Sequence, residues 1–85
     1  MKISIGRRKF NITNKDVVMD NGSCYQLITQ TYYKDWGNYH PVMSKRMFNK
    51  FVKDGTLILE SEKDDGILGN GNRFILKYYR FNVGE

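Results

Sequence analysis

The amino-acid sequence predicts an α+β fold: a mostly antiparallel sheet of about five to six strands with one amphipathic helix packed on a face. Two observations lead to this prediction. Segments with alternating apolar residues and turn signals indicate hairpins on both sides of residue 44. Residues 44–55 alone have apolar side chains at helical spacing. The chain has 85 residues and no linker-like composition, so we expect a single domain over residues 1–85.

Two hairpins are expected before the helix. Apolar side chains alternate through residues 3–12, on both sides of a turn at 6–8. The dipeptide Asn21-Gly22 follows a short apolar run and is typical of tight hairpin turns. Residues 24–33, rich in β-branched and aromatic side chains, should then form the longest strand of the first half.

A helix should start at Ser44, whose hydroxyl can cap an orphan amide, and end at Gly55, which can adopt the left-handed cap conformation. Its two faces differ in character. The apolar face consists of Met47, Phe48, Phe51 and Val52. The basic face consists of Lys45, Arg46, Asn49, Lys50 and Lys53. The helix is therefore amphipathic, and its basic face should point outward.

A loop and a third hairpin complete the expected fold. Residues 34–42 contain glycine and proline and lack a period, which predicts a loop. Residues 56–60 and 73–83 predict two strands, joined by a long polar tip over 61–72. The expected order of elements is therefore β-β-β-β-α-β-β.

The charge of the chain favours an anionic partner. Fourteen Lys and Arg residues against nine Asp and Glu residues give a net charge of +5. Acidic residues cluster within 60–65, so the remaining surface is more basic than the total indicates. A solvated surface whose charge only maintains solubility is the alternative interpretation.

Residues suited to catalysis or metal binding are sparse. Cys24 and His40 are the only candidates for a nucleophile and its base, and a small buried cysteine with a loop histidine is the simpler interpretation. Two such side chains are too few for a structural zinc site. We therefore expect no enzyme activity, no catalytic residue, no metal and no cofactor.

Three further patterns are explained without such chemistry. The acidic stretch 62–66 lacks the ligand spacing of a calcium loop. The glycines of 66–71 precede a strand rather than a helix, so they predict a flexible hairpin tip instead of a phosphate cradle. Asp64 and Asp65 are adjacent and should be solvated, which does not favour the carboxylate pair of a glycosidase.

The sequence also bears on location. No apolar run approaches the ~18 residues of a membrane span, and the first residues do not resemble a signal peptide. Cys24 is the single cysteine, which fits a reducing compartment and leaves a disulfide-linked homodimer open. We expect a cytoplasmic protein without a membrane partner.

Two features favour a binding function. At the helix start, Lys45 and Arg46 face the positive end of the helix dipole, and no acid follows before Asp54. An anionic partner would turn this penalty into a gain, while a solvated helix face is the alternative. The second feature is an aromatic set, which comprises Tyr32, Tyr33, Trp36 and Tyr39 interleaved with Lys34 and His40. Such side chains stack on bases or anchor protein interfaces, unless they close the core.

The elements expected from Ser44 to Val83 resemble the recognition helix and wing of winged-helix DNA-binding domains. The cations that carry the resemblance are Lys45, Arg46, Lys50 and Lys53 on the helix and Arg73 and Lys77 on the wing strand. The resemblance implies DNA binding by the helix. It covers less than half of the chain, strands replace the helices that precede the recognition helix in that family, and the expected tip is acidic.

Two classes of function follow. The first is a non-enzymatic protein that binds nucleic acid or a nucleoprotein complex through its basic helix and aromatic loop. The second is a phage or mobile-element inhibitor, similar to anti-CRISPR proteins, that docks on a host defence complex through protein contacts. The absence of alanine and the abundance of Lys, Asn and Ile are typical of AT-rich coding sequences and fit both classes. Salt dependence separates them, because phosphate binding weakens steeply with added salt.

Overall fold

The computed structural model describes residues 1–29, 41–67 and 73–84. Within these ranges the chain forms seven strands and one helix. In chain order they are β1 (Lys2–Ile5), β2 (Arg8–Asn11), β3 (Val17–Asp20), β4 (Tyr25–Ile28), β5 (Val42–Met43), α1 (Lys45–Lys53), β6 (Leu57–Ile67) and β7 (Arg73–Phe81).

Five strands form one antiparallel sheet in the order β5-β4-β3-β7-β6, while β1 and β2 form a separate hairpin. In the middle of the sheet β3 pairs with both neighbours, so that Val18 lies opposite Leu27 on one side and Tyr79 on the other. The helix packs on one face of this sheet. The predicted α+β class is confirmed, and the number of strands is close to the expected number.

The hydrophobic core lies between the sheet and a layer made by the β1–β2 hairpin and α1. The buried side chains on this inner face of the sheet are Val18, Leu27, Met43, Leu57 and Phe81. The buried side chains of the layer above it are Ile3, Phe10, Ile12 and Phe48. We call residues 1–16 and 44–55 the cover layer, because they cover the inner face of the sheet.

The helix begins and ends where the sequence predicts. Ser44 is the N-cap, and its Oγ accepts a hydrogen bond from the Met47 backbone N–H at 3.2 Å. Asp54 is the C-cap. Gly55 follows it with a φ of +83°, a conformation that glycine adopts without strain.

Aromatic contacts hold the helix on the sheet. Phe48 stacks on Tyr25, with ring centroids 3.9 Å apart and an interplanar angle of 10°. The same ring meets Tyr79 edge to face, with centroids 4.9 Å apart. One turn later Phe51 contacts Phe81 at 6.3 Å in a similar geometry. These contacts turn the opposite face of the helix, with its cations, toward solvent.

Two expectations about the first half of the chain are wrong within the described residues. A long strand is expected over residues 24–33. Within the described residues this strand is the four-residue β4, because its partner β3 offers no residue to pair with beyond Val17. Residues 30–33 of that strand lie outside the described residues. The expected loop 34–42 ends in a strand, because Val42 and Met43 pair with β4. A two-residue strand is too short to produce an alternating pattern in the sequence.

Two expectations about the second half are also wrong. The polar tip was expected from residue 61, but β6 continues to Ile67, because β7 supplies partners such as Lys77 opposite Glu62. Val52 was expected on the buried face of the helix, and it is 41% exposed. At ~100° per residue, Val52 lies roughly 90° from the centre of the stripe that contacts the sheet.

Replacing Phe48 with Leu should lower the free energy of unfolding by about 1–3 kcal/mol, because both ring contacts are lost while most of the side-chain volume stays. Val52→Ala in the same helix is the control and should cost less than ~0.5 kcal/mol, since this side chain is exposed. Urea denaturation followed by circular dichroism measures both. Equal losses in the free energy of unfolding for the two variants would contradict this packing of the helix on the sheet.

Candidate functional site

The charges of the protein are separated between its two layers. Residues 1–16 hold five Lys and Arg residues and one acid, and residues 44–55 hold four and one. The cover layer therefore carries nine cations against two acids, a net charge of +7. The five strands of the sheet, from β3 to β7, together carry a net charge of −1. All nine cations of the cover layer are exposed.

The two acids of the cover layer differ in exposure, and only Asp54 lies at its surface. Asp16 is buried, and its Oδ2 accepts a hydrogen bond from the Thr13 backbone N–H at 2.8 Å. Asp54 is exposed at the end of the helix. Hydrogen bonds from the side chain and the backbone N–H of Thr56 hold the pKa of Asp54 below that of an ordinary aspartate. The outward surface of the cover layer thus has one carboxylate among nine cations.

The helix supplies four of the nine cations. Lys45 and Arg46 occupy its first turn, which contains no acid, whereas Lys50 and Lys53 occupy its last turn. None of the four forms an ion pair with a carboxylate of the described residues. The helix dipole disfavours the first pair and favours the second. The first pair therefore lowers the stability of the free protein.

The β1–β2 hairpin supplies a second group of cations, which the sequence interpretation did not assign to the site. Its register places Lys2 opposite Asn11 and Ser4 opposite Lys9, and all four side chains are exposed on the side away from the core. Arg7 lies in the turn. The density of Lys and Arg in the first fifteen residues was visible, but nothing local indicates that this hairpin packs on the same face as the helix.

Two surface grooves meet at β5. One, of about 540 Å³, is lined by Arg7 and Arg8 of the hairpin turn and by Pro41 and Val42. The other, of about 400 Å³, extends from the β3–β4 turn to Lys45 at the helix start, and Val42 lines it as well. Val42 is 50% exposed. Val42 therefore lines both the groove of the turn arginines and the groove that reaches the helix start.

The predicted site residues divide into three groups. Lys45, Arg46, Lys50 and Lys53 lie together on the exposed face of α1. On the expected wing strand, Arg73 is the first residue of β7, and Lys77 is half-buried between its register partners Asp20 and Glu62. The aromatic and loop residues Tyr33, Lys34, Trp36 and Tyr39 lie outside the described residues, as do Tyr32 and His40.

The expected wing belongs to the sheet for half of its length. Residues Lys77–Arg80 of β7 pair with β3, whereas Arg73–Leu76 pair only with β6 among the described residues. The distal part of this hairpin therefore projects beyond the sheet as a two-stranded arm. Its β6 strand carries acids, including Glu62 and Asp64. Likeness to a winged helix is thus limited to the order of elements.

The described residues contain no group of three or more His, Cys, Asp or Glu side chains that could hold a metal ion. Cys24 is half-buried, and its sulfur accepts a hydrogen bond from the Asn21 side-chain amide at 3.6 Å. No helix among the described residues is long and apolar enough to cross a membrane. The expected absence of enzyme activity remains a prediction.

Comparison of the chain with known protein families, with curated proteins and with solved structures finds no match.

Replacing Lys45 and Arg46 with Glu should raise the free energy of unfolding by about 0.3–1 kcal/mol each at low salt, because acids are favoured at a helix start. Glu at position 46 would also face Lys50 one turn later. Lys53→Glu in the last turn is the matched control, and it should destabilise. Urea unfolding at low salt and at 1 M NaCl tests this, since salt should reduce both effects. A double variant less stable than the wild type at low salt would contradict this account.

Proposed function

We propose that this protein binds nucleic acid through the cover layer, without catalysing a reaction. The observation that carries the proposal is the concentration of nine exposed cations on one layer of the molecule, against a net charge of −1 on the sheet strands. Uniform surface charge would serve solubility equally well. A charge of one sign gathered on one face is the electrostatic footprint of a polyanion site.

The distribution of these cations favours a long anion over a small one. Small-molecule phosphate sites use convergent, largely buried polar groups. Here the cations are exposed and spread over the β1–β2 hairpin, the turn after it that holds Lys15, and α1. A nine-residue helix is ~13.5 Å long, which spans several phosphates of a nucleic-acid strand. The cover layer therefore fits a phosphate backbone, contacted at several points.

The proposed recognition is mainly electrostatic. Lys predominates on the helix and contacts phosphate as a point charge. Phosphate contacts position a protein on nucleic acid without reading its sequence. We therefore expect similar affinities for unrelated sequences of the same strand type, with Lys45 and Arg46 at the helix start and Arg7 and Arg8 at the neighbouring groove in the contact surface.

The first test is the salt dependence of binding. Fluorescence anisotropy with labelled single-stranded and double-stranded DNA and RNA of about 20 nucleotides should give affinities that fall steeply with salt. With four to six phosphate contacts, the slope of log K against log salt on duplex DNA should be roughly −4 to −5. Absence of binding to all four nucleic acids at 10 mM salt would refute the proposal.

Reversal of three helix charges, Lys45, Arg46 and Lys50 to Glu, should weaken binding by about tenfold or more and make the salt slope smaller by roughly 3. Lys63→Glu, an equally exposed substitution on β6, is the matched control and should change affinity little. Circular dichroism checks that each variant is folded. A folded triple variant that binds like the wild type would remove the helix from the interface.

The contribution of the hairpin cations to binding can be tested separately from that of the helix. Arg7→Ser together with Lys9→Ser should weaken nucleic-acid binding by several-fold and reduce the salt slope by roughly 2, because both cations belong to the same charged layer. Lys63→Ser, far from the cover layer on β6, is the control for loss of one charge. If only the helix variants affect binding, the hairpin is not part of the site.

The inhibitor of a host defence complex remains the second candidate, and β6 is the observation that favours it. This strand is an edge of the sheet among the described residues, and its exposed side chains include Ile58, Leu59 and Glu60. Edge strands can receive a strand from a partner protein. Binding of this kind should survive added salt and respond to Ile58→Lys rather than to the helix variants.

A further inference from the structure

The groove beside the β1–β2 turn, which we call the hairpin groove, combines cationic and apolar side chains. Arg7 and Arg8 of the turn are both exposed and line it. The apolar part of the lining comes from Ile5, Pro41 and Val42. No carboxylate of the described residues lines this groove, and Arg7 forms no ion pair with one. The hairpin groove is therefore suited to a ligand that has both an anionic and an apolar group.

The backbone around the hairpin groove is fixed by the fold. Gly6, with a φ of +64°, occupies the first central position of the turn, where type II′ turns need glycine. Ile5 pairs with Arg8 across this turn and packs against the hydrophobic core. Next to β5, the Pro41 carbonyl accepts a hydrogen bond from the Leu27 backbone N–H at 2.8 Å. The groove is thus formed before a ligand binds.

The second groove, between the β3–β4 turn and the helix start, has a different lining. Asp20, an acid, and Lys45, a cation, both line it. A carboxylate repels a phosphate and offsets the attraction of the lysine. Of the two grooves, the hairpin groove is therefore the better phosphate site.

We propose that the hairpin groove receives one nucleotide of a single-stranded nucleic acid, with its phosphate at Arg7 and Arg8 and its base against Val42. This inference rests on the proposed function, because the other cations of the cover layer hold the neighbouring phosphates. Ligand pockets measure roughly 300–1,000 Å³, and the hairpin groove, of about 540 Å³, lies in this range. The planar guanidinium of arginine also stacks on bases.

The type of strand follows from the contact with a base. In a duplex the bases are paired and stacked, whereas a single strand presents them to side chains. Charge alone predicts the opposite preference, since duplex DNA carries one charge per roughly 1.7 Å and one strand carries one per roughly 3.4 Å. A preference for single strands would therefore come from the bases and not from the cations.

Fluorescence anisotropy with the full chain at about 100 mM salt tests this inference. The probes are single-stranded DNA and RNA of about 20 nucleotides, their duplexes, and the same backbones without bases. The preferred single strand, DNA or RNA, should bind about tenfold more tightly than its duplex and than its backbone without bases. Polyglutamate of the same length, which offers charge without bases, should bind as weakly as the backbone alone.

Two substitutions in the hairpin groove separate base contact from charge. Val42→Ser, at a position 50% exposed, should weaken single-strand binding about fivefold and leave duplex binding unchanged. Arg7→Lys keeps the charge but removes the planar group, so it should reduce the preference for single strands without changing the salt slope. Ile75→Ser is the matched control, because Ile75 is 42% exposed on a strand outside the cover layer, and it should bind like the wild type.

Duplex binding as tight as single-strand binding would overturn this inference and leave nucleic-acid binding by the cover layer standing. A preference that persists in both folded groove variants would overturn it as well. Polyglutamate binding as tight as that of the single strand would assign the groove to an acidic peptide instead. Binding to none of the nucleic acids would refute the proposed function, and this inference with it. Circular dichroism checks folding, and Arg7→Lys, an exposed substitution, tests the inference if Val42→Ser does not fold.

Discussion

The position of the charges on the cover layer depends on how Phe48 is held between Tyr25 and Tyr79. One ring stacks on Phe48 and the other meets it edge to face, so the helix has little freedom to rotate about its axis. Rotation by one residue position would move the basic face by ~100°. Tyr25 and Tyr79 come from strands on either side of β3. The orientation of the cationic surface is therefore a property of the assembled sheet and not of the helix alone.

Local signals predicted the elements whose ends are determined by single residues. Ser44 and Gly55 delimit the helix as expected, and Gly6 and Gly22 have positive φ in the two predicted turns. The remaining elements could not be predicted in this way. β5 exists because it pairs with β4, and the acidic half of β6 is a strand because β7 lies beside it. Both depend on pairing with another strand, which the composition of the segment itself does not encode.

The candidate site was also predictable from the sequence only in part. The four helix cations could be grouped from their spacing along one helix, which is local information. The cations of the hairpin could not be added to them, because only the shared core of Ile3, Phe10 and Phe48 shows that both elements lie on one face.

The cover layer also links binding to stability. The buried apolar side chains of the described residues form a small core, so the margin of stability of such a domain is modest. Like charges crowded over this core act against folding. A ligand that binds only the folded state stabilises it by mass action. Binding of a polyanion to the cover layer would therefore also raise the free energy of unfolding.

The separation of charge has a kinetic consequence. With the cover layer positive and β6 negative, the molecule has a permanent electric dipole that crosses it from one layer to the other. In the field of a polyanion such a molecule turns before contact, with its cationic side leading. Orientation during the approach removes much of the rotational search that slows ordinary encounters between macromolecules. If nucleic acid is the partner, as proposed, the arrangement accelerates its capture, an advantage that fades as mobile ions shorten the range of the field.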